Sequence, residues 1–132
     1  MRTLARDHRG VSAVEFALIA PVLLLMIVGL AQLGVLFMAN AGLRNAVAEG
    51  ARYATIYPRP SNAQIRQRIA DSRFGLDPRY LGTPEISYGI ADGANYADIT
   101  VRYSVPLDFV FFTVPGVTLT EARRAFIQPT SI

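Results

Sequence analysis

The chain has 132 residues, 52% of them hydrophobic, with mean hydropathy +0.29 and a formal charge of +3. That is one small domain's worth of chain, more apolar than a soluble domain and too short to enclose a deep active site. All the basic residues are arginines dispersed among carboxylates, which reads as a solvated face rather than a nucleic-acid surface, and the lack of cysteine excludes disulfides and cysteine metal sites.

Residues 1–10 carry Arg2, Arg6 and Arg9 against Asp7, an excess of positive charge that predicts a cytoplasmic N-terminus for any span that follows. A secretory signal peptide fits poorly, because its apolar region is about 7–15 residues and ends in a small-residue cut site. Here the apolar run is longer. From Phe16 to Ala31 no side chain is polar, and after Gln32 the run resumes through Ala39. At 1.5 Å per residue this is the length of a bilayer-spanning helix, which needs about 20 mostly apolar residues.

Glu15 is the one carboxylate in this run. Such a group costs about 2.5–3.5 kcal/mol at the centre of a membrane helix. It either reaches water at headgroup depth, at little cost, or has a charged partner. A cut after Gly10 would supply one, because Val11 then carries an ammonium one helical turn from Glu15. That ammonium, or the corresponding one on a neighbouring helix, could neutralise the carboxylate. Pro21 lies inside the run and predicts a kink or local loosening, since it removes a backbone donor and crowds the preceding turn.

Residues 40–55 remain helical in composition and become amphipathic. Gly42, Ala46, Gly50 and Ala54 recur every four residues, flanked by Leu43, Val47 and Ala51. This face of small residues permits close backbone approach to another helix or to a sheet; the chain's own sheet is the expected partner, and a contact with another subunit is the alternative. Pro58 and Pro60 end the helix. Ser61 or Asn62 caps a short second helix that turns Ile65 and Ile69 inward and stops at Gly75. A loop with Asp77-Pro78 and Gly82-Thr83-Pro84 follows.

Three strands are expected. In residues 85–90, Ile86, Tyr88 and Ile90 alternate with small or polar residues, and 91–95 is a turn. In 98–105, Ile99, Val101, Tyr103 and Val105 face one way, the pattern of an antiparallel sheet with one buried face. Pro106 ends that strand, and 117–127 is a third whose alternation fails around Glu121, Ala122 and Arg123. The apolar stretch 107–116 is either folded back as core through Phe109, Phe111 and Phe112 or a surface patch.

Chemistry-bearing constellations are sparse. The single histidine, His8, precedes the candidate cut, there is no lysine, and no phosphate loop or paired-carboxylate cluster occurs. No catalytic, metal or cofactor residue stands out. The expectation is that the chain is not an enzyme and is instead the substrate of one.

Arg9-Gly10 followed by Val11, Ser12, Ala13, Val14, Glu15 and Phe16 resembles the class III signal of type IV pilin-like proteins, cut after the glycine by a prepilin peptidase. The continuation Ala17-Leu18, Pro21, and Glu49-Gly50-Ala51-Arg52 beyond the span resemble the TadE-like family, minor pseudopilins of the tight adherence (Tad, Flp pilus) system. Glu-Phe rather than Glu-Tyr separates the chain from the major Flp pilin. The resemblance covers about the first 55 residues; the remainder agrees only in size and strand pattern.

It implies an α+β, type IV pilin-like fold. A long N-terminal membrane-spanning helix continues outside the membrane, followed by a short second helix and about three antiparallel strands packed on the long helix. Residues 1–10 would be a cytoplasmic leader, 11–39 the transmembrane helix, 40–57 its continuation, and 58–132 a periplasmic head. The implied partners are the membrane, the prepilin peptidase, other pilins and pseudopilins, and the inner-membrane assembly platform, with no nucleic acid and no cofactor. The implied location is the bacterial inner membrane, single-pass, with possible entry into a pilus serving adherence and biofilm formation. The other readings are an unprocessed bitopic protein with a partner-binding outer domain, and a soluble binding module released from a signal peptide.

Overall fold

A long run with one interior proline and no turn signal folds as a single helix, α1 (Arg9–Ala54), in the computed structural model. The structure describes residues 9–109 and 112–128, so His8 and most of the expected leader lie outside the described residues. The 46 residues of α1 measure about 69 Å at 1.5 Å rise. The helix is unbroken through Pro21, where the backbone donor to the carbonyl of Ala17 is missing. It closes with amides Thr55 and Ile56 bonded to the carbonyls of Arg52 (3.3 Å) and Tyr53 (3.1 Å).

The second helix, α2 (Asn62–Asp71), starts in a reciprocal capping box: the Gln64 amide donates to Ser61 Oγ and the Ser61 amide to Gln64 Oε1. Ile65 and Ile69 are buried as their spacing requires. The helix stops at Asp71, with the Ser72 amide on the carbonyls of Arg68 and Ile69, and not at Gly75. Gly75 lies in the loop beyond at φ +73°, which lets Leu76 turn back into the core. A 3-10 turn (Pro78–Tyr80), capped by the Asp77 side chain, leads to the sheet.

Strands β1 (Glu85–Ala91), β2 (Ala94–Phe109) and β3 (Phe112–Ile127) form one antiparallel sheet in the order β1-β2-β3. The β1–β2 turn has Asp92 and Gly93 at φ 52° and 77°, which suits a tight hairpin. The face carrying Ile99, Val101, Tyr103 and Val105 is buried against α1 together with Leu43, Val47, Ile65, Ile69 and Leu76. Each such large side chain contributes about 1.5–3 kcal/mol by leaving water.

Strand boundaries differ from the sequence reading: β1 reaches Ala91 and β2 starts at Ala94 rather than 98, so the expected 91–95 turn shrinks to Asp92 and Gly93. Pro106 does not end β2, which runs on to Phe109. Val105 pairs with Val117 and Leu107 with Val114, so the register slips at Pro106, opposite Pro115 and Gly116. Prolines are tolerated at such a bulge because neither owes a ladder hydrogen bond there. The β1 ladder has also ended, at Glu85 opposite Thr100, so Pro106 faces only one neighbouring strand. For the same reason β3 starts at Phe112 rather than 117. Its alternation around Glu121 fails because β3 is an edge: Glu121 is on the covered face, half-buried, and meets Arg44 at 3.7 Å. Leu107 packs against the core. The expected core role of Phe109, Phe111 and Phe112 concerns side chains outside those described.

The small-residue face of α1 has more than the sheet as its partner. A Cβ on Gly42 would fall on the carbonyl oxygen of Phe74, and one on Gly50 would lie 2.7 Å from Ile69 Cδ1. α2 and its following loop therefore lie directly on the α1 backbone, while α1 also contacts β2 and β3. Ile69 is fully buried and has no room to swing aside. Gly50→Ala is therefore expected to destabilise the folded head by about 1–3 kcal/mol despite alanine's better helix propensity. Gly29→Ala, with nothing within 4 Å, is expected to be neutral or slightly stabilising. Thermal melts of the full chain in detergent micelles, followed by near-ultraviolet circular dichroism, check the contrast.

Candidate functional site

From residue 12 to residue 38 no side chain of α1 is buried; burial begins at Ala39. Phe16, Leu18, Leu30 and Phe37 are 70%, 72%, 65% and 68% exposed. Only at its far end, where Leu36 packs on the edge of the core and Met38 lies beside Gly75, does this half of the helix meet the head. It is long and apolar enough to cross a membrane, and most of its window is bare, unlike the core helix of a soluble domain. Gly29 and Gly34 lie in it with open space around them.

Glu15 is exposed near the start of this bare stretch, four residues beyond Val11. The Gly10–Val11 peptide is in the first turn of α1, so the helical i, i+4 relation between residues 11 and 15 holds. Among the described side chains none forms an ion pair with Glu15. Phe16 and Pro21 are also on the bare segment.

The other group singled out in the sequence, residues 49–52, lies in the last two turns of α1 and has different surroundings. Glu49 accepts from Arg52 at 3.0 Å and from Arg68 of α2 at 3.4 Å. Gly50 receives Ile69, and Ala51 is buried. Glu49 and Gly50 thus lie on the seam between α1 and α2, with Arg52 held to Glu49 within α1. The structure does not bring them near Glu15.

Residues 10–52 match the model of the protein family described as TadE-like protein. Over this segment, about a third of its length, the chain is similar to TadE-like proteins. No curated protein and no solved structure gives a significant match. The matched segment opens at Gly10 and closes at Arg52, so it contains Glu15 and the α1 side of the α1–α2 seam. The sheet lies outside it.

The sequence alone does not single out Arg68, because its reach to Glu49 depends on the angle at which the two helices meet. The arginines of the head are in fact largely used within the chain. Arg102 pairs with Glu85 at 2.7 Å, Arg124 with Asp98 at 2.8 Å, and Arg79 with Asp77 at 2.7 Å. Arg124 also lies over the Tyr96 ring and Arg59 over that of Tyr88, whose hydroxyl bonds to Asn62. Among the described residues no group of three metal-binding side chains occurs.

These pairs set a pH dependence. The hydrogen bond from Arg52 holds the Glu49 carboxyl below its ordinary value, against some desolvation, with the charges of Arg52 and Arg68 adding to it. Asp77 is lowered by Arg79 and Asp98 by Arg124, each first through a side-chain hydrogen bond. A carboxylate whose pKa is depressed on folding stabilises the fold above its unfolded pKa and loses that contribution as the pH falls through the folded one. Head stability is therefore expected to be flat from neutral pH to about pH 5 and to decline below about pH 4. All three pairs are solvent-accessible, so the decline is modest and is weakened by salt. Glu49→Gln should lower the melting temperature slightly at pH 7 and make its fall between pH 5 and pH 3 shallower, as read by melts across that range.

Proposed function

We propose that the chain is a minor pseudopilin of a Tad-type pilus system, made as a precursor, cut after Gly10 by a prepilin peptidase, and assembled through α1. Its role is structural and involves no catalysis of its own. The single observation that carries this is the bare apolar helix with one carboxylate four residues past the cut position, inside the TadE-like segment.

Physically, the reading turns on charge. A lone carboxylate among apolar helices is expensive, while one paired with an ammonium is tolerated. After the cut, each subunit carries one ammonium at Val11 and one carboxylate at Glu15. The ammonium of one subunit can meet the carboxylate of another when their helices align, so pairing selects both partner and axial register. The bilayer holds the unassembled helix, and other pilin helices replace lipid when it joins an assembly. The inner-membrane platform and other pilins or pseudopilins are the partners in this scheme, with the N-terminus cytoplasmic, the head periplasmic, and adherence as the outcome.

N-terminal sequencing of the membrane-extracted protein, with the peptidase present and absent, tests the first step. The expected result is a start at Val11 that depends on the peptidase; an intact N-terminus in both cells moves the chain to an unprocessed bitopic protein. Glu15→Ala tests the second step. The variant should insert and be cut normally yet fail to co-purify with pilin-containing assemblies, a loss of roughly tenfold or more if the pair contributes 1.4 kcal/mol or more. Normal assembly by that variant would remove the pairing mechanism.

A further inference from the structure

The bare part of α1 ends sharply. Phe37 and Met38 are exposed, whereas Ala39 and Leu43 are almost completely buried. With a hydrocarbon core of about 30 Å and 1.5 Å rise, residues 16–37 fill the bilayer and its outer boundary falls near Met38. The loop after α2 is pressed against α1 at this level. A Cβ on Gly75 would lie 3.5 Å from Met38 Cγ, and one on Gly42 would collide with the Phe74 carbonyl. The loop is closed by the Phe74 amide on the Ser72 carbonyl (2.9 Å) and the Leu76 amide on that of Arg73 (3.2 Å), and Leu76 is buried.

Phe74 is thus clamped by its backbone between Met38 and Gly42, positions separated by about 6 Å along the helix. Its side chain is nevertheless 80% exposed, the most exposed large apolar side chain among the described residues. An aromatic held by a tight loop at the level where a span ends has the placement of the aromatic belts that anchor proteins at membrane surfaces. Arg73 precedes it and Arg44 follows Gly42 by two residues, which brings cationic groups close to the depth of lipid phosphates.

We propose that the loop at residues 72–76 rests in the outer headgroup layer with Phe74 inserted toward the acyl chains, so that the head is seated on the lipid surface at a fixed height. The partner is the bilayer itself. This rests on the reading that α1 spans a membrane, and the experiment separates the two. The chain has no cysteine, so Leu25→Cys, Phe74→Cys and Ile90→Cys each give a single labelling site. All three native side chains are exposed, which keeps the substitutions mild. Ile90 is the remote control. It pairs with Asn95, eight residues along β2 from Tyr103, whose hydroxyl accepts from the Asp77 amide beside the loop. Eight strand residues span about 26 Å.

Each full-length variant carries an environment-sensitive fluorophore and is reconstituted into phosphatidylethanolamine/phosphatidylglycerol vesicles containing lipids spin-labelled at shallow or deep positions. The expected pattern is deep quenching at 25, blue-shifted emission with shallow quenching at 74, and aqueous emission quenched only by soluble iodide at 90. Deep quenching at 25 with aqueous behaviour at 74 overturns the seating while leaving the span intact. Aqueous behaviour at 25 overturns the span and the seating together. Shielding at 74 that appears only at high protein-to-lipid ratio assigns the covering surface to a second copy and overturns the lipid assignment.

Discussion

The close approach of α2 and its loop to the backbone of α1 at Gly42 and Gly50 is the constraint on which the head depends. At both positions a methyl group would occupy space already taken, by a carbonyl oxygen in one case and by a buried isoleucine in the other. With α2 lying this low, Ile65, Ile69 and Leu76 reach the same core as Val47 and the inner face of β2. The sheet completes the interior with alternate residues of β2, joined by Ala125 and Leu119 of β3 and Ile86 of β1. A head with so little chain cannot rely on the number of buried side chains, so it depends on how closely its layers pack.

Much of this arrangement was legible in the sequence. The long apolar helix, its amphipathic continuation, the Ser61 cap, the inward Ile65 and Ile69 and the buried face of β2 all follow from local periodicity and capping chemistry. What was not legible depends on neighbours. Pro106 reads as a strand end unless one knows that β1 has already dropped away and that Pro115 and Gly116 lie opposite. Glu121 reads as a break in alternation unless Arg44 is known to stand across from it. The small-residue face of α1 was clear in sequence, but nothing there distinguished a strand from a second helix as its partner. In the candidate site, the position of Glu15 was evident, whereas the joining of Glu49 to Arg68 required the angle between two helices.

Charge is distributed in two very different ways along the same helix. In the head, carboxylates and guanidiniums are matched locally in accessible pairs, each of small energetic value. On the bare segment there is one carboxylate and no matching group among the described side chains. Balanced charge suits a surface that stays in water. A single uncompensated charge among apolar groups suits a surface that is to be met by something else, and the TadE-like segment spans both situations.

Because α1 passes from its bare half into the centre of the head without a linker, the two halves cannot move independently. Most anchored domains hang from a flexible tether that absorbs displacement. Here a pull along the helix axis is delivered straight into the contacts that Leu43 and Val47 make with the core. The head is then a mechanical stop: traction on the N-terminal end is resisted by interior packing, and translation or rotation of the rod is transmitted in full to the sheet. Compliance is left to the one interior position of α1 that lacks a backbone donor, Pro21, which is far from the head and within the bare half.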